Sequence, residues 1–312
     1  MLKSLKSFDL FSFKRKYAIL FLVIYIMLLV KDFDDYEIIS MSCGEKLERW
    51  GEFYLLRPDP EIIWKDKINN ELAHAHYHRS NKGGGAWEKK KPLPDRWNIK
   101  YKDLTFNVKL MGFKHTGIFP EQSINWDFMM KKIEEEKEKN NRPIKVLNLF
   151  AYTGCASCAC LKKGAEVVHV DSSRGMIEWA KENVKSSHLE NEKIRFLEDD
   201  CVKFVKREIR RGNKYDAIVM DPPSYGRGSK NEVWDIEKDL FPLIELCMEI
   251  LVDEPLFFII NSYTAGLSPV VLENILNMKF KDKKGKITSG ELGIKAKNGL
   301  VLPAGVYGRY EK

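Results

Sequence analysis

From Pro143 onward, five short apolar runs alternate with stretches of helical pattern, and few folds accept that arrangement. The runs are Val146–Phe150, Val167–Val170, Ile194–Leu197, Ala217–Met220 and Leu256–Ile260. They are mostly apolar rather than alternating, as in strands covered on both faces. Between them, Cys155–Lys163, Arg174–Ser187, Val202–Arg211 and Leu240–Leu251 read as helices. Strand–helix alternation at this spacing requires a parallel sheet with right-handed crossovers. The tail, Gly285–Arg309, predicts two further strands joined through Asn298-Gly299, an antiparallel closing pair. The expected class is α/β, with a Rossmann-like sheet.

Ahead of that sheet, Asp34 to Leu110 is rich in Trp, Pro and Gly, with Pro58-Asp59-Pro60, Gly83-Gly84-Gly85 and Pro92-Leu93-Pro94. Extended pieces at Glu52–Leu56 and Leu104–Leu110 predict a small β-rich region, with a hairpin turn at Lys102-Asp103. His74, His76 and His78 alternate as on one strand face. No acid or cysteine completes a metal site with them, so they read as solvated or partner-facing. Glu121–Asn140 turns helical and ends in the charged run Lys131–Lys139. The expected division is an apolar leader (1–33), a β-rich region (34–120) and the α/β domain (121–312).

The leader is anomalous. Tyr17–Val30 is an unbroken run of 14 apolar residues behind Lys14-Arg15-Lys16. As a helix it would span about 21 Å, short of the ~30 Å hydrocarbon core. Three readings remain: a signal anchor, a peripheral membrane helix, or translation begun upstream of the true start. Met27, just before the soluble pattern, favours the last. A real helix would hold the protein at the cytoplasmic membrane face, and this is the one membrane contact expected. Otherwise a reducing cytoplasm is expected, because the six cysteines show no disulfide framework. Cys155, Cys158 and Cys160 lack a fourth metal ligand and read as the buried face of a helix. Net charge is +7, but residues 1–16 carry +4 of it (five cations against Asp9), leaving +3 for the body. Bulk charge therefore supports nucleic-acid binding only weakly.

The ends of the predicted strands carry the chemistry. Phe150-Ala-Tyr152-Thr153-Gly154 joins the first strand to its helix, and Gly154 allows a ligand close to the backbone. One glycine makes a poor dinucleotide fingerprint and no phosphate loop, which argues for a ligand without phosphates. Asp171, with Ser172 behind it, ends the second strand 23 residues after Asn148, where an acid can accept from a ribose diol. Glu198-Asp199-Asp200 ends the third strand; Asp200 suits an adenine amine, with Asp199 beside it. The fourth strand runs into Asp221-Pro222-Pro223-Ser224-Tyr225. The prolines stop the strand and make its end a rigid platform. There Asp221 and the Pro222 carbonyl can orient an amino group while Tyr225 offers a stacking face. Acids at three successive strand ends with a one-glycine loop suit S-adenosylmethionine (SAM), whose sulfonium is matched by a carboxylate-rich rim.

These segments resemble class I SAM-dependent methyltransferases: Phe150-Ala-Tyr-Thr-Gly154-Cys-Ala-Ser157, Val168-His-Val-Asp171-Ser-Ser, and Asp221-Pro-Pro-Ser-Tyr225-Gly-Arg-Gly228. The chain is similar, over residues 34–312, to the bacterial large-subunit ribosomal-RNA cytosine-C5 group. Gly117-Ile-Phe-Pro-Glu121-Gln122 resembles a segment lying over the cofactor in that group, which implies that Glu121, Gln122 and Asn125 close over SAM. The resemblance implies an RNA substrate, most naturally ribosomal, and no stable protein partner. Two features depart from it. The C5 enzymes attack with a cysteine after the fifth strand, where this chain has Asn261-Ser262-Tyr263-Thr264. The family's usual amino-terminal RNA-binding module is also not recognisable. A phenol is a poor nucleophile at neutral pH. Transfer to nitrogen or oxygen by positioning alone is therefore expected. A small-molecule or protein acceptor, or a SAM-binding RNA assembly factor without turnover, are the alternatives.

Overall fold

The computed structural model describes residues 27–81, 84–228 and 233–312. Strand β1 (Met27–Leu29) comes first, then β2 (Tyr36–Ser42), β3 (Glu45–Trp50), β4 (Phe53–Pro58), β5 (Ala75–Arg79) and β6 (Gly85–Lys89). Strands β2 to β6 form a five-stranded sheet in sequence order. A hairpin follows, β7 (Trp97–Tyr101) and β8 (Leu104–Val108), turning at Lys102-Asp103.

The α/β part starts with helix α1 (Ser123–Asn140). It continues through β9 (Lys145–Leu149), α2 (Cys155–Lys162), β10 (Glu166–Asp171), α3 (Arg174–Ser186), β11 (Ile194–Glu198), α4 (Cys201–Arg211) and β12 (Ala217–Met220). A two-stranded excursion, β13 (Tyr225–Arg227) and β14 (Val233–Asp235), leads to α5 (Ile236–Ile250). The chain closes with β15 (Phe257–Ser262), α6 (Pro269–Phe280), β16 (Lys286–Lys295) and β17 (Val301–Glu311).

The main sheet has the order β1-β16-β17-β15-β12-β9-β10-β11. Strands β9 to β12 and β15 run parallel, and β17 is antiparallel to both its neighbours. Period-two geometry sends alternate residues of each apolar run to opposite faces. Val146, Ala217, Val219, Phe257 and Ile259 pack toward α1 and α2. Leu147, Leu149, Ile218, Met220, Phe258 and Ile260 pack toward α4, α5 and α6. That division explains why the runs are mostly apolar on both faces; the buried exceptions, Asn148 and His169, both bond to Ser157 Oγ of α2, each at 3.0 Å.

The first of these cores does not stop at the sheet. It continues through Trp126, Met129 and Ile133 of α1 into Phe33, Tyr36, Ile38 and Trp50 of the five-stranded sheet. Inside that sheet, Glu48 is fully buried. It accepts from Tyr36 Oη at 2.7 Å and from Arg57 Nε and Nη2 at 2.5 and 2.8 Å. Burial opposes its charge, but Arg57 and Lys46 hold its pKa down at about 2. A third Arg57 nitrogen donates to the Lys114 carbonyl at 3.0 Å and ties the sheet to the segment that follows β8.

Two expectations change here. Residues 17–26 of the apolar run lie outside the described residues, but Met27–Leu29 forms the edge strand of the main sheet, parallel to β16. Among the described residues, no helix is long and apolar enough to cross a membrane. The histidines also have acids beside them. Glu88, directly opposite His76 on β6, contacts His78 Nε2 at 2.9 Å, and Glu45 contacts His76 Nε2 at 2.5 Å. Strand register brought these groups together across long stretches of sequence. His74 lies apart, accepting from the Tyr54 amide through Nδ1.

Candidate active site

The order of the parallel strands reverses at β9, which has β10 on one side and β12 on the other. In open α/β sheets the crevice at the carboxyl ends of such strands is the ligand position. The β9–α2 loop lines it and is unusually shaped. Phe150, Tyr152 and Gly154 all have positive φ, at 52°, 50° and 80°. Left-handed conformations at two non-glycine residues are costly and persist only where surroundings dictate them. Here Ala151 N donates to Val170 O, Tyr152 N to Asp171 Oδ2, and Asn183 Nδ2 to Thr153 O. Thr153 Oγ1 donates to Gly117 O at 2.5 Å.

Gly154 carries a structural demand in addition to the expected one. A Cβ there would lie 2.9 Å from Ala180 Cβ on α3, on top of the φ restriction. Gly154→Ala is expected to destabilise the protein by about 1–3 kcal/mol, read from the urea midpoint at constant slope.

Two narrow chambers flank Phe150. One, of about 80 Å³, is lined by Asp171, Ser172, Asp200, Cys201, Val202 and Trp234, among others. Asp171 accepts from Tyr152 N and Ser173 N, both at 2.8 Å, which fixes its carboxylate at the strand end. Burial raises its pKa against those two bonds. Asp200 caps α4, accepting from Lys203 N at 2.8 Å. Asp199 does not join this chamber: its carboxylate is ion-paired with Arg207 on the outside of α4. Sequence reasoning missed Val202 and Trp234. Trp234 sits 4.8 Å from the Phe150 ring and donates to Pro223 O at 2.7 Å. It reaches the chamber from β14, an excursion without apolar periodicity to announce it.

The second chamber, of about 50 Å³, gathers Gln122, Asn125, Phe150, Tyr152, Thr153, Gly154 and Asp221. The amides form a network: Asn125 Nδ2 donates to Gln122 Oε1 at 2.8 Å and to Asn261 Oδ1 at 2.7 Å, and Arg309 donates to Asn125 Oδ1. Gln122 Nε2 donates to Tyr263 Oη at 2.7 Å. Asp221 stands out. Its Oδ1 is buried with no hydrogen-bond partner among the described residues. Burial, with the nearby Glu121 carboxylate, pushes its pKa up to about 7. Burial raises Glu121 as well.

The rest of the Pro-Pro platform departs from expectation. Pro222 is buried, and the neighbouring Pro223 carbonyl, a different oxygen from the Pro222 carbonyl expected to orient the acceptor, accepts from Trp234. Tyr225 is 56% exposed and lines neither chamber. The aromatic surface near Asp221 is instead Phe119, with ring centres 5.4 Å from both Tyr152 and Tyr263. Neither cysteine of the crevice is a ready nucleophile. Burial pushes Cys155 up to about 12 and Cys201 well above its ordinary value, and Cys201 Sγ accepts from Phe150 N.

The donor set suits SAM: a fixed carboxylate for a diol, a second acid at the ring end, and an orphaned carboxylate oxygen at the end of β12. Comparisons agree. Residues 58–275 match the family described as S-adenosylmethionine-dependent methyltransferase. The crystal structure of a SAM-dependent methyltransferase from Agrobacterium tumefaciens is 33% identical, with a TM-score of 0.86 over 92% of this chain and 94% of that one. SMU.776, solved with SAH, shares the fold at 18% identity and a TM-score of 0.68, covering 96% of this chain and 78% of that one. Among curated relatives, the ribosomal RNA large subunit methyltransferase K/L of Pseudoalteromonas atlantica is 28% identical over 172 residues, 54% of this chain and 23% of its own length. The chain thus spans about a quarter of that relative. The family match and the near-complete overlap with the Agrobacterium protein establish that this chain belongs to the SAM-dependent methyltransferases.

Proposed function

We propose that this enzyme places a methyl group on a nitrogen of a base in ribosomal or other structured RNA. The observation that carries the reading is Asp221 Oδ1, a buried acceptor without a partner among the described residues at the carboxyl end of β12. The names of the curated relatives support the ribosomal part. In this reading residues 121–312 form the methyltransferase domain, and residues 34–120 add one wall of the acceptor space.

SAM, when bound, supplies a methyl group on a positively charged sulfur that departs as a neutral thioether. Phe150, Tyr152, Thr153 and Gly154, with Gln122 and Asn125 above them, hold its amino-acid end. Asp171 and Ser172 take the ribose hydroxyls. Asp200 takes the ring amine, with Trp234 and Val202 along the ring, and Asp199 has no part because Arg207 occupies it. Asp221, ionised above about pH 7, accepts the proton that the acceptor nitrogen loses as its bond to carbon forms. Attack at C5 would need a thiolate, which the raised Cys155 and Cys201 do not provide.

Asp171→Ala is expected to weaken SAM binding by one to two orders of magnitude in calorimetric titration, the loss of charge-assisted bonds worth ~1.5–3 kcal/mol. An unchanged affinity would remove Asp171 from the ribose. Substrate class is tested with radiolabelled SAM and ribosomal RNA from a strain lacking the protein. Nuclease mapping should return label in one modified base. Label recovered only in protein or small molecules would overturn the RNA reading.

A further inference from the structure

A cavity of about 480 Å³ lies apart from the cofactor crevice. It lies between the five-stranded sheet and the ends of β15 and β17, and its volume is that of a small-ligand site. Phe119 lines both it and the chamber holding Asp221, so the two spaces meet at that ring. Glu121 and Tyr263 form the wall beside Asp221.

The cavity has two chemically distinct ends. At the Asp221 end, Tyr263 offers a ring 40% exposed, with its hydroxyl fixed by Gln122. Gly305, which lines the same cavity, lies so close to that ring that a Cβ would come within 2.9 Å of it. At the other end stand Lys46, Arg57, Lys114 and His115. Two of these cations are already neutralised: Arg57 by Glu48, and Lys46 by Asp59 at 3.1 Å. Lys114 is not. It donates to the Pro58 carbonyl at 3.4 Å and has no carboxylate within ion-pairing distance among the described residues. Burial, together with Lys46, Arg57 and Arg79, lowers its pKa against the pull of Asp59. Burial, with Arg57, Lys114 and Lys46 nearby, pushes His115 down to about 4 and keeps it neutral. A half-buried ammonium without a counter-ion, facing a cavity, is a place for an anion.

We propose that this cavity is the acceptor site, taking one phosphate-bearing nucleotide with its base on Tyr263 and its phosphate at Lys114. The assignment rests on the base-methylation reading above and adds where the base is held. An unstacked base on an aromatic ring, with its backbone on a cation, is how looped or single-stranded RNA is recognised. A free nucleotide shares that chemistry, so the test separates the two.

The full chain is titrated with a nucleoside, its 5′-monophosphate, and a short single-stranded oligoribonucleotide at several salt concentrations. Lys114→Ala is expected to weaken monophosphate and oligonucleotide at least about tenfold, to lower the oligonucleotide salt slope by about one, and to leave the nucleoside unchanged. Lys114→Arg should restore most of the loss. Tyr263→Ala should weaken all three by about tenfold or more, the range of one base stack. SAM affinity should stay at the parent value in both Lys114 variants, and Tyr263→Phe, which keeps the ring and loses the hydroxyl bonded to Gln122, should bind all three ligands like the parent. Equal binding by parent and Lys114→Ala, or no preference for the phosphate form, overturns the assignment. Monophosphate binding through Lys114 without methyl transfer to ribosomal RNA keeps the cavity as a free-nucleotide site and overturns the RNA reading alone. Methylated RNA with KM and salt slope untouched by Lys114→Ala does the reverse.

Discussion

Asp221→Ala is expected to lower methyl transfer by about 10²–10⁴-fold while SAM affinity stays within a few-fold of the parent. The expectation follows from the carboxylate's placement at the acceptor side of the crevice, away from the ribose and ring ends held by Asp171 and Asp200. Asp221→Asn separates orientation from proton acceptance, because the amide keeps an acceptor oxygen and loses the titration. In the parent, the rate should rise with pH through about 7 as Asp221 ionises. That limb should vanish in Asp221→Asn. A variant with Ala at this position and full activity would place the acceptor elsewhere.

The same carboxylate makes a stability prediction of determinate sign. Its folded pKa of about 7 lies above the ordinary 3.8. The folded state therefore binds the proton more tightly, and this contribution is fully present below pH 3.8 and lost as pH rises through about 7. At pH 8 the parent holds a buried, uncompensated charge that Asp221→Asn lacks. Calorimetric melting should show the Asn variant more stable at pH 8, with the difference shrinking toward pH 5. The residue proposed to take the proton is thus expected to weaken the fold at the pH where it would work, as is common for active-site groups.

Arg57→Met should be the most damaging single change away from the crevice, at about 3–5 kcal/mol. It would leave Glu48 buried with Tyr36 as its close partner and Lys46 at 3.6 Å. The Arg57 contact to the Lys114 carbonyl would go with it. Removing the acid as well, in Glu48→Leu with Arg57→Met, should recover much of the loss, since a matched apolar pair carries no stranded charge. Urea unfolding of the two variants decides this. A double variant no more stable than the single would mean that packing, and not the unpaired carboxylate, sets the penalty.

Much of the architecture was legible because the apolar runs are long enough, and their flanks polar enough, to fix both period and direction. The β9–α2 loop, Asp171 and Asp221 were legible for a related reason: each sits at a strand end, and strand ends are marked by where apolar character stops. Residues whose position depends on a pairing were not legible. Asp199 and Asp200 are adjacent acids, told apart only by their contacts: Asp199 pairs with Arg207 and Asp200 caps α4. Tyr225 looked like a stacking ring because it follows two prolines, but those prolines send it onto a short outer ribbon. Helix α6 was missed although Ser268-Pro269 marks its start. The acids beside His76 and His78 required the register of three strands.

The apolar core shared by α1 and the five-stranded sheet bears on how substrates are told apart. Side chains such as Trp126 and Trp50 belong to one packed body, so opening the acceptor cavity would mean pulling that body apart. The walls at Lys114 and at Tyr263 then stand at a set separation, like the jaws of a fixed gauge. Under the proposed acceptor assignment, selection would fall to whether a ring and its phosphate span that gap, and a base one atom too wide would be refused before any chemistry.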